Sequence, residues 1–398
     1  MKILRISYEW PPPWDGLVAA PYEMTLAQTK LGHKIDLFCG RWPRSGPIEE
    51  MNNVTLHPFI REPVAGTLSL TTSVLVFFYY LFWRRKNKPD MIHSHGHFAI
   101  WIFLYRMFLK KFFPKSKELK IPWVAHFHNT VKGRAENLGE DEKQIKKISK
   151  LLSWPLAEKS DRWAVKTADK CVFVSQDIRR DAIEYYGANS DDCHVVETGV
   201  NTHLFRPIGP EEKLRTREEL GFEPGDKVIL NHGVMVERKN IHLLVEAMKH
   251  LPENYKLFLF GPVPKTSYEH ELNKIIKENN LKERVVRVGY TPYPQVPIGF
   301  QASDVFVLPS NWEGLPKVVM QSLACGVPTL ASGFEAQHEL PGLVYVKNLD
   351  AETIAKQIEQ IFVDSVRVDI NKVRELYSWG VMAKKIDVIY DTILNEHA

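Results

Sequence analysis

The chain has 398 residues, of which 44% are hydrophobic and 25% charged, and its net charge is +4. These fractions are those of a globular protein and exclude a disordered, collagen-like or low-complexity chain. So small a positive charge does not mark a nucleic-acid binder. The four cysteines, Cys39, Cys171, Cys193 and Cys325, are far apart and form no Cys-x-x-Cys, which points to a reduced, cytoplasmic setting.

In chain order, a strand is expected over 3–7, with no apolar signal segment ahead of it. A helix over 20–31 stops at Gly32, and strands follow over 34–38 and 54–58. The stretch 64–83 carries no charge. Its first half is diluted by Gly66, Thr67, Ser69, Thr71, Thr72 and Ser73, and its second half predicts an apolar helix over 68–83. Next come a strand over 90–93, an aromatic-rich helix over 99–113, a strand over 123–127, a helix ending over 161–168 and a strand over 170–174. The second half repeats this grammar. Strands are expected over 227–231, 256–260, 285–288 and 305–308. Helices are expected over 241–250 and 269–279 and from Pro316 onward, a residue favoured at a helix's first position. An amphipathic helix over 378–394 closes the pattern.

Strands alternating with helices imply parallel βαβ units. The expected fold class is therefore α/β, with two Rossmann-like doubly wound parallel-sheet domains over 1–198 and 206–377 and a final helix over 378–398 packed back on the first. Strands 3–7 and 90–93 should share one sheet. A bilayer-spanning helix between them would part them, so 68–83 reads as core or as surface-docked.

Residues 81–120 hold ten Lys and Arg against two acids, Asp90 and Glu118. Basic residues beside aromatic helices suit an anionic membrane surface, through 68–83 and 98–120. They equally suit helices that cover the sheet with solvated lysines. His93, His95 and His97 alternate as strand residues on one face do. No Asp, Glu or Cys beside them completes a ligand set, so no metal is expected there.

The richest run is Ala302-Ser-Asp-Val-Phe-Val-Leu-Pro-Ser-Asn-Trp-Glu-Gly-Leu-Pro-Lys-Val-Val-Met-Gln-Ser-Leu-Ala-Cys-Gly-Val-Pro328. A buried strand leads into a polar loop and then a helix. Val319, Met320, Leu323 and Ala324 form its apolar face, with Gln321 off that face, and Gly326 ends it. Amides at such a helix start can cradle an anion. By itself this is a plain unit of a nucleotide-binding fold.

The detailed run closely resembles the donor-site signature of glycosyltransferase family 4, whose architecture is GT-B. The resemblance covers nearly the whole chain. Tyr8-Glu-Trp-Pro-Pro-Pro-Trp-Asp-Gly16 is similar to the family's N-terminal loop, and Pro89-Asp-Met-Ile-His-Ser-His95 to its Pro-Asp-Val-Ile-His-x-His strand. Ala125-His-Phe-His-Asn-Thr130 is similar to the strand end that carries an active-site His. Thr198-Gly-Val-Asn-Thr-His-Leu-Phe205 resembles the hinge, Gly233-Val-Met-Val-Glu-Arg-Lys239 the phosphate loop, and Tyr377-Ser-Trp379 the start of the terminal helix.

The resemblance implies two domains facing a central cleft and a retaining, metal-independent transfer from a nucleotide sugar. That donor is a co-substrate, and no cofactor is implied. His128, Glu313 and Lys239 take the catalytic positions. His128 would reach the sugar from the N-terminal domain and assist by hydrogen bonding. Donor binding falls to Gly16, Gly233, Arg238, Lys239, Glu313, Gly314, Leu315, Pro316, Lys317, Val318 and Gln321. Glu313 would orient sugar hydroxyls, and Lys239 with a helix N-terminus would neutralise the leaving diphosphate. Three positions depart from the pattern. Gln321 replaces the second Glu of the pair, Val234 the phosphate-loop Arg, and Asp15 the first Gly of the N-terminal loop. If the basic, aromatic stretch meets a membrane, the expected acceptor is a lipid-linked or cell-envelope glycan, with the protein cytoplasmic and peripheral at the inner membrane face. Two rival readings are a catalytically weakened sugar-nucleotide or glycan-binding protein and a nucleotide-sugar epimerase.

Overall fold

The computed structural model describes residues 1–14, 18–42, 45–62, 71–136, 151, 153–263 and 267–397. The chain divides into two compact units, Met1–Thr198 with Trp379–Ala398, and Gly199–Ser378.

The first unit is built on seven strands: β1 (Lys2–Ser7), β2 (Lys34–Arg41), β3 (Val54–Ile60), β4 (Met91–His95), β5 (Trp123–Phe127), β6 (Lys170–Phe173) and β7 (Cys193–Val195). Their order is β3-β2-β1-β4-β5-β6-β7, and every pairing is parallel. The strand order reverses between β1 and β4, which makes their carboxyl ends a topological switch point. One face of the sheet packs on Val76, Tyr80, Trp83, Ile102 and Phe103. The other packs on Met24 of the helix Ala19–Lys30 and on Met382, Ile386, Tyr390 and Ile393 of the helix Trp379–His397.

The second unit has six strands: β8 (Lys227–His232), β9 (Tyr255–Phe260), β10 (Val285–Val288), β11 (Val305–Pro309), β12 (Thr329–Ser332) and β13 (Leu343–Tyr345). The order is β10-β9-β8-β11-β12-β13, again wholly parallel, with the switch point between β8 and β11. β11 is buried along its whole length, as a strand covered on both faces must be.

Several expectations change. The strand expected over 54–58 runs on to Ile60. The apolar helix is Thr72–Lys86, and residues 68–70 lie outside the described set. β7, β12 and β13 have three or four residues each, too few to show a period. The helix Pro210–Glu219 was unforeseen because it is polar nearly all round and buries only Arg217. The helices Gln176–Tyr186, Ala351–Val363 and Ile370–Tyr377 were likewise not anticipated. No helix of the described residues is long and apolar enough to cross a membrane.

Candidate functional site

In the second unit, the loops after β8 and β11 meet. β8 ends at His232 and is followed by Gly233, whose φ is +126°. A Cβ there would lie 2.6 Å from Lys239 Nζ, so only glycine lets the ammonium approach this backbone. Lys239 ends the short turn Glu237–Lys239 and is buried. It is therefore not the exposed lysine that its polar neighbours suggest. Burial holds its pKa below the ordinary lysine value, the nearby Glu313 carboxylate opposes that, and Arg238 adds to it. A buried ammonium without full compensation has a strong appetite for an anion.

Arg238 Nη1 donates to Glu313 Oε1 at 2.9 Å and to the Trp312 carbonyl at 3.0 Å. Arg238 is one of the expected donor-binding residues, and its side-chain partner in the structure is Glu313. Ser310 Oγ donates to the same carboxylate oxygen at 3.0 Å. The Glu313 amide is bonded to Gly333 O at 2.7 Å, and Asn240 Nδ2 donates to Pro309 O at 2.9 Å and to Asn311 Oδ1 at 2.7 Å. Three loops are thus tied into one rigid rim. Sequence reasoning missed Ser310 and Asn240. The left-handed φ of +49° at Asn240 was the feature a motif search could not see.

Gly314 and Leu315 lead to Pro316, which is extended (ψ 115°) and precedes the helix Lys317–Ala324. Pro316 is therefore the N-cap residue and not the first helical one. Its carbonyl already takes the Val319 amide at 3.0 Å. Val318 follows at the first turn, while Gln321 is buried one turn in. The helix ends in a Schellman arrangement, with Gly326 N–H on Leu323 O at 3.0 Å and Val327 N–H on Ser322 O at 3.1 Å. Beside this helix start lies His232, whose Nδ1 pairs with Phe260 O at 2.7 Å. Burial, with Lys239 and Lys317 nearby, pushes its pKa down to about 4, so it is neutral near pH 7. Val234 is 46% exposed and brings no charge to this rim. Gly16 and Asp15 lie outside the described residues.

In the first unit, sequence spacing grouped His93, His95 and His97. The structure regroups them. His97 lies on the turn after β4 and approaches Asp161 Oδ1 at 3.5 Å. In its place β5 supplies His126, which stands opposite His95 in the strand register, followed by His128. The four imidazoles form a stacked column. Ring centroids are 4.6 Å apart for His93 and His95, 4.8 Å for His95 and His126, and 4.8 Å for His126 and His128. The ring planes differ by 11°, 27° and 9° in these three pairs. His93, His95 and His126 bring ligand atoms within 4.8 Å of one another. The column is tied together by hydrogen bonds. His93 Nε2 meets His126 Nδ1 at 3.1 Å, His95 Nδ1 meets His128 Nε2 at 3.1 Å, and Tyr390 OH meets His93 Nδ1. Burial holds the pKa of His93, His95 and His126 well below the ordinary histidine value, leaving them neutral.

Two family models match the chain, "Glycosyl transferases group 1" over residues 212–375 and "Glycosyltransferase Family 4" over residues 14–204. An uncharacterized glycosyltransferase of Methanocaldococcus jannaschii is 24% identical, covering 98% of each chain. The UDP-Gal:alpha-D-GlcNAc-diphosphoundecaprenol alpha-1,3-galactosyltransferase of Escherichia coli is 25% identical, covering 91% of this chain and 89% of its own. Among solved structures, sucrose-phosphate synthase from Thermosynechococcus elongatus superposes with a TM-score of 0.76 at 20% identity, covering 99% of both chains. Anabaena HepE in complex with UDP and glucose gives a TM-score of 0.72 at 16% identity, covering 98% of this chain and 100% of that one. The structural likenesses show the GT-B fold. The chain belongs to the family 4 glycosyltransferases.

Proposed function

We propose that this protein is a retaining, metal-independent hexosyltransferase that uses a nucleoside-diphosphate sugar. One observation carries the reading: the buried Lys239 ammonium, set against Gly233 at the carboxyl end of β8 and within electrostatic reach of Glu313. A pyrophosphate placed there would meet this cation together with the start of the helix Lys317–Ala324. That combination stabilises charge developing on a departing nucleoside diphosphate. Glu313, held by Arg238 and Ser310, is oriented to accept hydrogen bonds from sugar hydroxyls, and Gln321 offers an acceptor to the ribose. His128 is assigned a hydrogen bond to the sugar during transfer. The solved HepE with UDP and glucose supports the choice of donor class.

The same reading places the acceptor at a membrane surface, on the cytoplasmic side. The helices Thr72–Lys86 and Ile100–Phe112 run side by side and parallel, since Trp101 bonds Ser73 and the Tyr105 ring packs at a tilt against Phe77. Their outer faces expose Phe78 (56%), Phe82 (66%), Phe108 (48%) and Phe112 (56%). Arg84, Arg85 and Lys86 end one helix, and Lys110 and Lys111 end the other. An aromatic face with a basic end suits the boundary of an anionic leaflet, and a relative whose acceptor is diphosphoundecaprenol-linked supports it. A second reading, a sugar-nucleotide-binding protein without turnover, draws on Val234 and Gln321.

The test is a thermal-shift panel of nucleoside diphosphates and their sugars, followed by turnover with lipid-linked acceptors and NMR of the product anomer. A binder raises Tm by mass action. No shift with any nucleotide defeats the donor site, and shifts without transfer favour the second reading.

A further inference from the structure

A small cavity in the first unit, about 10 Å³, is lined by His95, His126, His128, Glu197, Thr198 and the surrounding apolar side chains. That is room for one water. Three of its lining residues carry a buried polar atom with no protein partner: His95 Nε2, His126 Nε2 and Glu197 Oε1. The other Glu197 oxygen pairs with Lys385 at 3.4 Å.

The proton positions follow from one end of the column. Arg5 stands opposite His93 in the strand register, and its buried guanidinium lies beside Tyr390. A cation there draws the hydroxyl lone pairs toward itself and turns the proton away, so Tyr390 donates to His93 Nδ1. Neutral His93 then carries its proton on Nε2 and donates to His126 Nδ1. Neutral His126 in turn carries its proton on Nε2, the atom that lacks a protein acceptor. Glu197 Oε1, a carboxylate oxygen, lacks a donor.

We propose that one buried water fills this cavity, accepting from His126 Nε2–H and donating to Glu197 Oε1 and His95 Nε2, and that it thereby fixes the tautomer of His128. Water offers two protons and accepts readily, so three bonds satisfy all three orphaned atoms. His95 then accepts at Nε2 and must donate from Nδ1, so His128 accepts at Nε2 and holds its own proton on Nδ1. The chain runs one way: Arg5, Tyr390, His93, His126, water, His95, His128. In this state His128 Nε2 is committed as an acceptor to His95, and the ring's donor is Nδ1–H. His95 is thus a positioning residue. Only the use His128 makes of that donor rests on the glycosyl-transfer reading; the tautomer pattern does not.

The test is long-range ¹H–¹⁵N correlation spectroscopy of the ¹⁵N-histidine-labelled full chain without substrate, with single His variants for assignment. The expected pattern is Nε2–H for His93 and His126, and Nδ1–H for His95 and His128. His95→Asn, whose amide can still donate to His128, should keep the His128 tautomer. His95→Phe, which keeps a stacked ring but no donor, should lose it. A crystal structure should show a single water within hydrogen-bond distance of the three atoms. An Nε2–H His128 in the wild type, an unchanged tautomer in His95→Phe, or direct contact of His126 with Glu197 without water would each overturn the proposal. The wild-type spectrum decides the question even where a variant fails to fold.

Discussion

Arg238 Nη1 lies 2.9 Å from Glu313 Oε1, joining the turn after β8 to the loop after β11 across the switch point of the second sheet. The pair is partly exposed, with side-chain accessibilities of 32% and 14%, so it contributes at most about 1 kcal/mol to stability. Its value is positional: it aims a carboxylate that would otherwise swing.

Glu313→Ala and Lys239→Ala should therefore cut transfer severely while the proteins stay folded. Losing one preorganised electrostatic contact costs about 10²–10³ in kcat. Steady-state kinetics with a Tm check measures this. Wild-type rates in both purified variants would remove these residues from the site.

Lys239 also predicts how nucleotide binding depends on pH. Burial lowers its pKa in the free protein, and a bound anion raises it again. Affinity for a nucleoside diphosphate should be full below the lowered value and fall as pH climbs toward the ordinary lysine range of about 10.4. Protons should be taken up on binding in that window. Calorimetry in buffers of different ionisation enthalpy reads both effects, and Lys239→Arg should flatten the curve.

Gly233→Ala tests the close approach directly. The residue sits at φ +126°, and the added Cβ would crowd Lys239 Nζ at 2.6 Å. A strained backbone of this kind costs about 1–3 kcal/mol. Lower Tm together with weakened nucleotide binding is expected. A fully stable variant with normal affinity would contradict the geometry.

Asp161 makes stability pH-dependent. Burial raises its pKa to about 8, against bonds from the Val131 amide and the Tyr186 hydroxyl. The folded state then binds the proton more tightly than the unfolded state does, so stability falls as pH rises from about 4 toward that value. The slope reaches about 1.4 kcal/mol per pH unit. Asp161→Asn, which keeps an acceptor for Val131, should narrow the Tm loss between mildly acidic and alkaline buffer. An identical loss in both proteins would refute it.

Phe78, Phe82, Phe108 and Phe112 are exposed, so replacing all four with Ser should leave Tm nearly unchanged. It should abolish co-sedimentation with phosphatidylglycerol vesicles. Binding by the wild type should weaken with salt, because screening shortens the reach of Lys110, Lys111 and Arg85. Wild type that ignores such vesicles, or that self-associates through this face, would exclude the membrane assignment.

Much of the fold was legible along the chain. β11 and the Leu257–Phe260 part of β9 are continuous apolar runs, and β10 ends where its pattern does. The misses have a common cause. The helix Pro210–Glu219 has no apolar stripe, and β13 has three residues. In the donor loops, the family resemblance named Gly233, Lys239 and Glu313 but could not tell that Lys239 is buried, or that Arg238 turns to Glu313.

Local order alone decides the alternation of strands and helices and the glycine-punctuated loops at their ends, because period, turn chemistry and motif spacing act between near neighbours. The histidine column needed the folded chain. His95 meets His126 through strand register, and Tyr390 reaches His93 across 297 residues of sequence. Burial and the direction of a hydrogen bond depend on what packs against a group from far along the chain, and no local pattern encodes that.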